Sequence, residues 1–295
     1  MTQKLNWLIL GIAIQGWSIS ALAQDCAPEF VYESESVTIR VDEIGYGQTA
    51  GETFQIAIRN AEDGQCSVSV RAAYSMLSVG AEESSLVLSA DGSVLEILSN
   101  DAAPGSGNTD FLVGSLPQGS YGTTVNFQAS VGANWGVRSG IETRELTLSL
   151  VNETGLVVDT MRLLVTVDIL PAVELRIVGA TGAGAVSRIN LGNISSDRTS
   201  TSDPFALRVL STGPYSITFE SDNQGALLRT GGSDTVPYVL AMNGQEVDLS
   251  GSTPTLFSSG TGSLGELHSL LVSVPPTFSI AGDYSDRVNV MLSAI

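Results

Sequence analysis

Residues 282–295 read GDYSDRVNVMLSAI, and Val288, Val290 and Leu292 alternate there with Asn289, Met291 and Ser293. Period-two alternation marks a strand with one face buried. The sequence stops on this strand. A sandwich that ends so, with no closing partner, leaves one apolar face and one row of backbone hydrogen-bonding groups uncovered. The expectation is an open seam that another polypeptide must fill.

Working back from that seam, the composition suits an all-β protein: much Val, Thr, Ser and Gly, few charges and little helical periodicity. Strand-like runs fall at 36–41, 53–59, 67–72, 85–88, 123–131, 145–150 and 161–169, separated by turn clusters such as 60–64 and 100–107. Short strands spaced by Gly, Asn and Asp point to sandwiches. The apolar run 163–169 meets Pro171, and a new strand pattern begins at Ala172, so two domains are expected, 24–170 and 171–295, joined by a rather stiff connection. The halves repeat in outline. Val37-Thr38-Ile39-Arg40-Val41 compares with Val173-Glu174-Leu175-Arg176-Ile177, and a hairpin from Phe54 returning through Val68 and Val70 compares with one from Phe205 returning through Tyr215, Ile217 and Phe219.

Residues 1–23 combine Lys4, an apolar run from Trp7 to Ile14 and Ala21-Leu22-Ala23, the pattern of a secretory signal. The apolar run is shorter than the roughly 20 residues of a membrane span, and no transmembrane segment is expected. The remaining chain holds 12 arginines against 31 acidic residues. Such a balance argues against nucleic acid and anionic membranes as partners, and an acidic, soluble surface accounts for it. Cys26 and Cys66, an even pair in an oxidising compartment, most simply form one disulfide.

No cofactor, metal site or catalytic residue is expected. Calcium-loop spacing is absent, and the stretch 260–265 matches G-x-G-x-x-G without a strand before it or a helix after it. His268 is the only histidine, no G-x-S-x-G elbow accompanies it, and it reads as one face of a strand. Glu82 and Glu83 read as solvated acids. The N-x-[ST] sites at Asn152 and Asn193 fit the glycosylation acceptor pattern, which has little meaning if the source is bacterial.

Three pieces together, the opening strand at 173–177, Pro237-Tyr238-Val239-Leu240, and the closing Gly282, Tyr284, Ser285, Asp286, Val288 and Val290, resemble the spore coat U domain pilin family of archaic chaperone-usher pili. The likeness covers 172–295, without the cysteines that the family commonly carries there. It implies an immunoglobulin-like sandwich lacking its last strand. A periplasmic chaperone fills the groove first, and the next subunit's N-terminal strand then displaces it during assembly at the usher. Val173, Leu175 and Ile177 on one wall and Val288, Val290 and Leu292 on the other should line it; unfilled, the same six are ordinary core residues.

No donor strand of alternating apolar residues precedes the first domain, so the resemblance implies a tip subunit, exported through the periplasm to the cell surface, whose 24–170 domain faces outward. Apolar residues in loop contexts, Tyr74, Met76, Leu77, Trp135 and Val137, are the candidates there for contact with a host or abiotic surface. A lone tryptophan in a sandwich is otherwise a core residue. The expected protein is a non-enzymatic adhesin; the alternatives are a free secreted carbohydrate-binding or carbohydrate-active sandwich, and a shaft or coat subunit.

Overall fold

The computed structural model describes residues 27–60, 66–75, 85–99, 110–116, 122–183 and 186–295. The signal-like segment, Cys26, Met76, Leu77, Glu82 and Glu83 lie outside them. The described chain is all-β, with no helix.

The first sandwich contains β1 (Pro28–Phe30), β2 (Ser34–Val41), β3 (Thr49–Asn60), β4 (Cys66–Tyr74), β5 (Leu86–Ala90), β6 (Ser93–Leu95), β7 (Ile97–Leu98), β8 (Asp110–Leu116), β9 (Thr123–Gly132), β10 (Gly140–Asn152) and β11 (Val157–Ile169). One sheet runs β1-β3-β9-β5-β6; the other runs β2-β11-β10-β4-β7, with β8 also on β4. Alternation decides what each strand buries: Phe54, Ile56 and Ile58 from β3, and Val125, Phe127 and Ala129 from β9, meet Leu146, Leu148, Leu163 and Val165 of the opposing sheet in one core. Phe127 sits at its centre, stacked on Phe54 at 5.6 Å and edge-on to Phe111 at 5.7 Å. Each such side chain contributes about 1.5–3 kcal/mol by leaving water. The opening strand β2 lies parallel to β11, in register from Ser34–Arg162 to Val41–Ile169.

The second sandwich contains β12 (Val173–Val178), β13 (Thr181–Ala183), β14 (Val186–Arg188), β15 (Ser200–Thr201), β16 (Phe205–Ser211), β17 (Tyr215–Ser221), β18 (Ala226–Arg229), β19 (Thr235–Pro237), β20 (Val239–Met242), β21 (Gln245–Glu246), β22 (Thr255–Phe257), β23 (Glu266–Val274), β24 (Tyr284–Ser285) and β25 (Val288–Ala294). Its larger sheet runs β12-β16-β23-β20-β21, with β15 also on β23. Facing it are β22-β17-β25 and the small sheet β19-β18-β24. Leu207, Val209, Tyr215, Ile217, Phe219 and Leu240 form a separate core.

Both supposed hairpins are something else. β3 and β4 lie in opposite sheets of the first sandwich, and β16 and β17 in opposite sheets of the second, so neither pair forms a hairpin. The alternating pattern reveals which face is buried but is blind to which sheet the next strand joins.

Backbone bonds tie the segment between the sandwiches to both. The Leu170 N–H donates to the Val41 carbonyl at 3.0 Å, and the Thr212 N–H to the Ala172 carbonyl at 3.0 Å. The Ser139 N–H of the first sandwich donates to the Thr212 carbonyl at 2.8 Å.

Candidate binding groove

The first and last strands of the second sandwich are both edges. Among the described residues, β12 pairs only with β16 and β25 only with β17. The two strands come within 8 Å, Cα to Cα, without pairing. Val173, Leu175 and Ile177 on β12 and Val288, Val290 and Leu292 on β25 all turn toward the same core, yet each is only partly buried.

The matching strand of the first sandwich calibrates that exposure. In β2, with β11 alongside, Val37 is 5% exposed, Ile39 1% and Val41 1%. The sequence pattern is the same and each strand pairs on one edge only; β2 packs against β3 of the opposing sheet, where β12 meets β25. A strand placed between β12 and β25 would need about 9.6 Å, two spacings of about 4.8 Å. Where the walls lie within 8 Å they lean together and must part to admit it. Its backbone would pair with free edges on either side, and alternate apolar side chains would cover the two half-open rows, the mode of β-strand addition.

Both walls are anchored from behind. The Tyr215 hydroxyl lies 2.8 Å from His268 Nε2 and donates to Glu266 Oε2 at 3.2 Å, while Asn243 Nδ2 lies 3.2 Å from His268 Nδ1. His268 is fully buried, 4.5 Å from the Phe257 ring. Burial pushes the imidazole pKa down, and neighbouring Glu266 pulls it partly back. Here His268 is a hydrogen-bonded core residue. Near β25, the Tyr238 hydroxyl donates to Asp286 at 2.6 Å, and its pKa is raised first by burial and then by that bond.

Of the residues expected on binding loops, Tyr74, Trp135 and Val137 are described, and they pack against protein. Trp135 is 6% exposed, which corrects its assignment to an open loop. Its neighbour Gly136, at φ +105°, sits so close to Ser263 of the second sandwich that an added Cβ would lie 3.0 Å from the Ser263 nitrogen. The Tyr46 hydroxyl reaches the Ser263 carbonyl at 3.2 Å beside it. The 133–139 loop thus packs at the junction. Val137 is partly buried against the first core and borders a cavity of about 140 Å³ with Arg138, Ile141 and Ile169. Tyr74 ends β4, half-buried against the same core and opposite Leu146. Cys66 is buried at the start of β4.

Apolar residues that the sequence reading passed over are exposed at the other end. Leu156 is 64% exposed, Val157 51% and Val158 41%, in the turn and first residues of β11. β11 runs from there to Ile169 at the junction, a span of about 40 Å at roughly 3.3 Å per residue. Tyr32, 60% exposed, stands at the same end, just ahead of Ser34, which pairs with Arg162. Asn152 shapes the turn: its Oδ1 accepts from the Thr154 and Leu156 N–H groups at 3.0 and 2.9 Å. The one signal in the sequence was a run of three apolar residues directly after a turn.

No family model matches the chain, and no curated protein matches it in sequence. Among solved structures it is similar to chaperone-usher tip adhesins. One is a chain of the CsuC–CsuE chaperone–tip adhesion subunit pre-assembly complex from the archaic Csu pili of Acinetobacter baumannii, at 12% identity and TM-score 0.44, covering 91% of this chain and 99% of that one. The enterotoxigenic Escherichia coli adhesin CfaE gives 10% identity, TM-score 0.45 and coverage of 89% and 92%. The CupB6 tip adhesin of Pseudomonas aeruginosa gives 13%, 0.38, and 90% and 94%.

Proposed function

We propose that this protein is the tip subunit of a chaperone-usher pilus. Its second domain, 171–295, accepts a strand between β12 and β25, first from a periplasmic chaperone and then from the next subunit at the usher. Its first domain, 24–170, makes the outward contact. One observation carries the reading: two edge strands, each paired on one side and not with each other, whose core-facing rows are half-open, in a molecule whose other sandwich buries the equivalent row almost completely. The family resemblance of the closing strand points the same way. The exposed Tyr32, Leu156, Val157 and Val158 are the surface-contact residues we assign, remote from the junction, and contact rather than catalysis is the activity. Cys26 bonded to Cys66 ties the N-terminal end into the first domain.

Expression of the chain with and without a co-expressed periplasmic chaperone tests the reading. The expected outcome is aggregation alone and a stoichiometric complex with the chaperone, with Val290 and Leu175 protected from solvent in the complex. A monodisperse, cooperatively folded chain that ignores the chaperone would instead favour a self-contained secreted sandwich.

A further inference from the structure

Asp286 stands where the closing segment changes partners. Ser285 pairs with Leu228 of β18, and Val288 pairs with Ser221 at the end of β17. Between them the Asp286 carboxylate gathers four hydrogen bonds. Oδ2 accepts from Ser221 Oγ at 2.6 Å and from the Tyr238 hydroxyl at 2.6 Å; Oδ1 accepts from the Asn223 N–H at 3.2 Å and from Asn223 Nδ2 at 2.9 Å. Ser221 Oγ in turn accepts the Gly225 N–H at 2.8 Å, which closes the turn after β17. The Asp222 N–H donates to the Arg287 carbonyl at 2.9 Å alongside. Ser221 and Tyr238 are 6% and 7% exposed, so their hydroxyls depend on this acceptor rather than on water.

Among the described strands, β17 alone pairs with β25. One edge pairs with β17 while the other faces the opening, and its apolar row is half-buried. At its far end the Ile295 N–H donates to the Pro214 carbonyl at 2.9 Å. A strand supported on one side frays from its ends unless they are fixed. We infer that Asp286 is a positioning residue for strand capture: it fixes the entry to β25, so that Val288, Val290 and Leu292 stand in register before an incoming strand arrives. This rests on the groove reading above and adds to it a preformed wall. Binding to a preorganised wall forgoes the ordering cost that a frayed one would impose.

The test uses the full chain with Asp286→Asn and, because that change could disturb folding, Tyr238→Phe, which keeps the ring and removes one donor. Backbone hydrogen exchange is followed across β25 and across β16 and β23. Capture is followed with a synthetic peptide of alternating valine and threonine capped by lysines, against a scrambled control. Both variants are expected to raise exchange in β25 about tenfold, with β16 and β23 unchanged. The peptide's association rate is expected to fall in proportion to the lost closed fraction, about twofold where one wall in ten is frayed in the native chain, at an unaltered dissociation rate, which a general loss of stability would not produce. Unchanged β25 exchange in both variants overturns the proposal, as does exchange that rises equally in all three strands. If the unmodified chain does not distinguish the alternating peptide from the scrambled one, the groove reading falls, and β25 exchange still decides the role of Asp286.

Discussion

Truncating Leu175 and Ile39 to alanine compares two third positions of the same strand pattern, one in a half-open row and one in a closed one. Ile39 is 1% exposed on β2, which pairs with β11 and packs against β3 of the opposing sheet. Removing about three carbons there loses roughly 2.4 kcal/mol of transfer energy, and the closed cavity left behind raises the cost to about 3–4 kcal/mol. Leu175 is only partly buried. Half of the transfer term, about 1.2 kcal/mol, is what the free chain can lose, because water already reaches the site and no closed cavity forms. The expected gap is about 2 kcal/mol, roughly thirtyfold in an unfolding constant. Denaturant titration read by hydrogen exchange on β16 and β23 for one sandwich, and on β9 and β10 for the other, measures the two costs separately. With the alternating peptide bound, Leu175 becomes fully buried, so Leu175→Ala should weaken that peptide about five- to thirtyfold while Ile39→Ala leaves its affinity unchanged. If Leu175→Ala costs the free chain as much as Ile39→Ala and peptide affinity does not move, β12 is a closed core strand and the groove is refuted.

Lowering the pH should weaken the second sandwich through His268. Burial depresses its pKa in the fold, so the unfolded chain takes up the proton first, and stability present above about 6.5 is lost as the pH falls through that value toward the folded pKa. Denaturation of β16 and β23 at pH 7.5 and 5 should show this loss in the native chain and much less of it in His268→Gln; equal losses would assign the effect to the carboxylates. Gly136→Ala forces a left-handed backbone on a residue with a Cβ and drives that Cβ toward Ser263. It should cost about 1–3 kcal/mol and loosen the junction, read as faster exchange at the Ser139 amide, and an unaltered amide would count against tight packing there. Reducing the proposed Cys26–Cys66 bond should cost the first sandwich about 4 kcal/mol by the loop-closure estimate, and peptide mapping that finds two free thiols removes the premise. Replacing Leu156, Val157 and Val158 together by serine should abolish adhesion to hydrophobic surfaces without shifting the denaturation midpoint, because these side chains are exposed; retained adhesion would move the contact elsewhere.

The long strands were legible because a half-buried strand writes its period into the sequence. The runs expected in the first half lie within observed strands, save that 85–88 begins one residue ahead of β5, and β10 and β11 extend beyond their runs. Strands of two or three residues, such as β7, β15 and β21, hold less than two full periods and leave no pattern to find. Long-range packing was also hidden. Trp135 sits between an asparagine and a glycine, as an exposed loop residue would, and only the approach of Ser263, distant in sequence, reveals that its loop is at the junction. Leu156, Val157 and Val158 were passed over for the opposite reason, since apolar residues that run into a strand look like core until their end of the sheet is seen to stop at solvent.

The groove lies between these cases. Its six residues were readable, since alternation names the face each strand must bury, but it does not name what buries it. β2 and β12 make that distinction physical. Each strand pairs on one edge only, β2 with β11 and β12 with β16; the V-T-I-R-V strand also packs against β3 of the opposing sheet and its row closes to a few per cent exposure, whereas V-E-L-R-I meets β25 across the opening and its row stays half-open. Closing it from within would require β12 and β25 to pair directly. They approach within 8 Å yet stay apart, because β16 and β17 hold them in opposite sheets whose separation is set at about 10 Å by Tyr215, Ile217, Leu207 and Val209 packed between. Pairing would bring the strands to about 4.8 Å and crush that core, so direct pairing of β12 with β25 is closed to them.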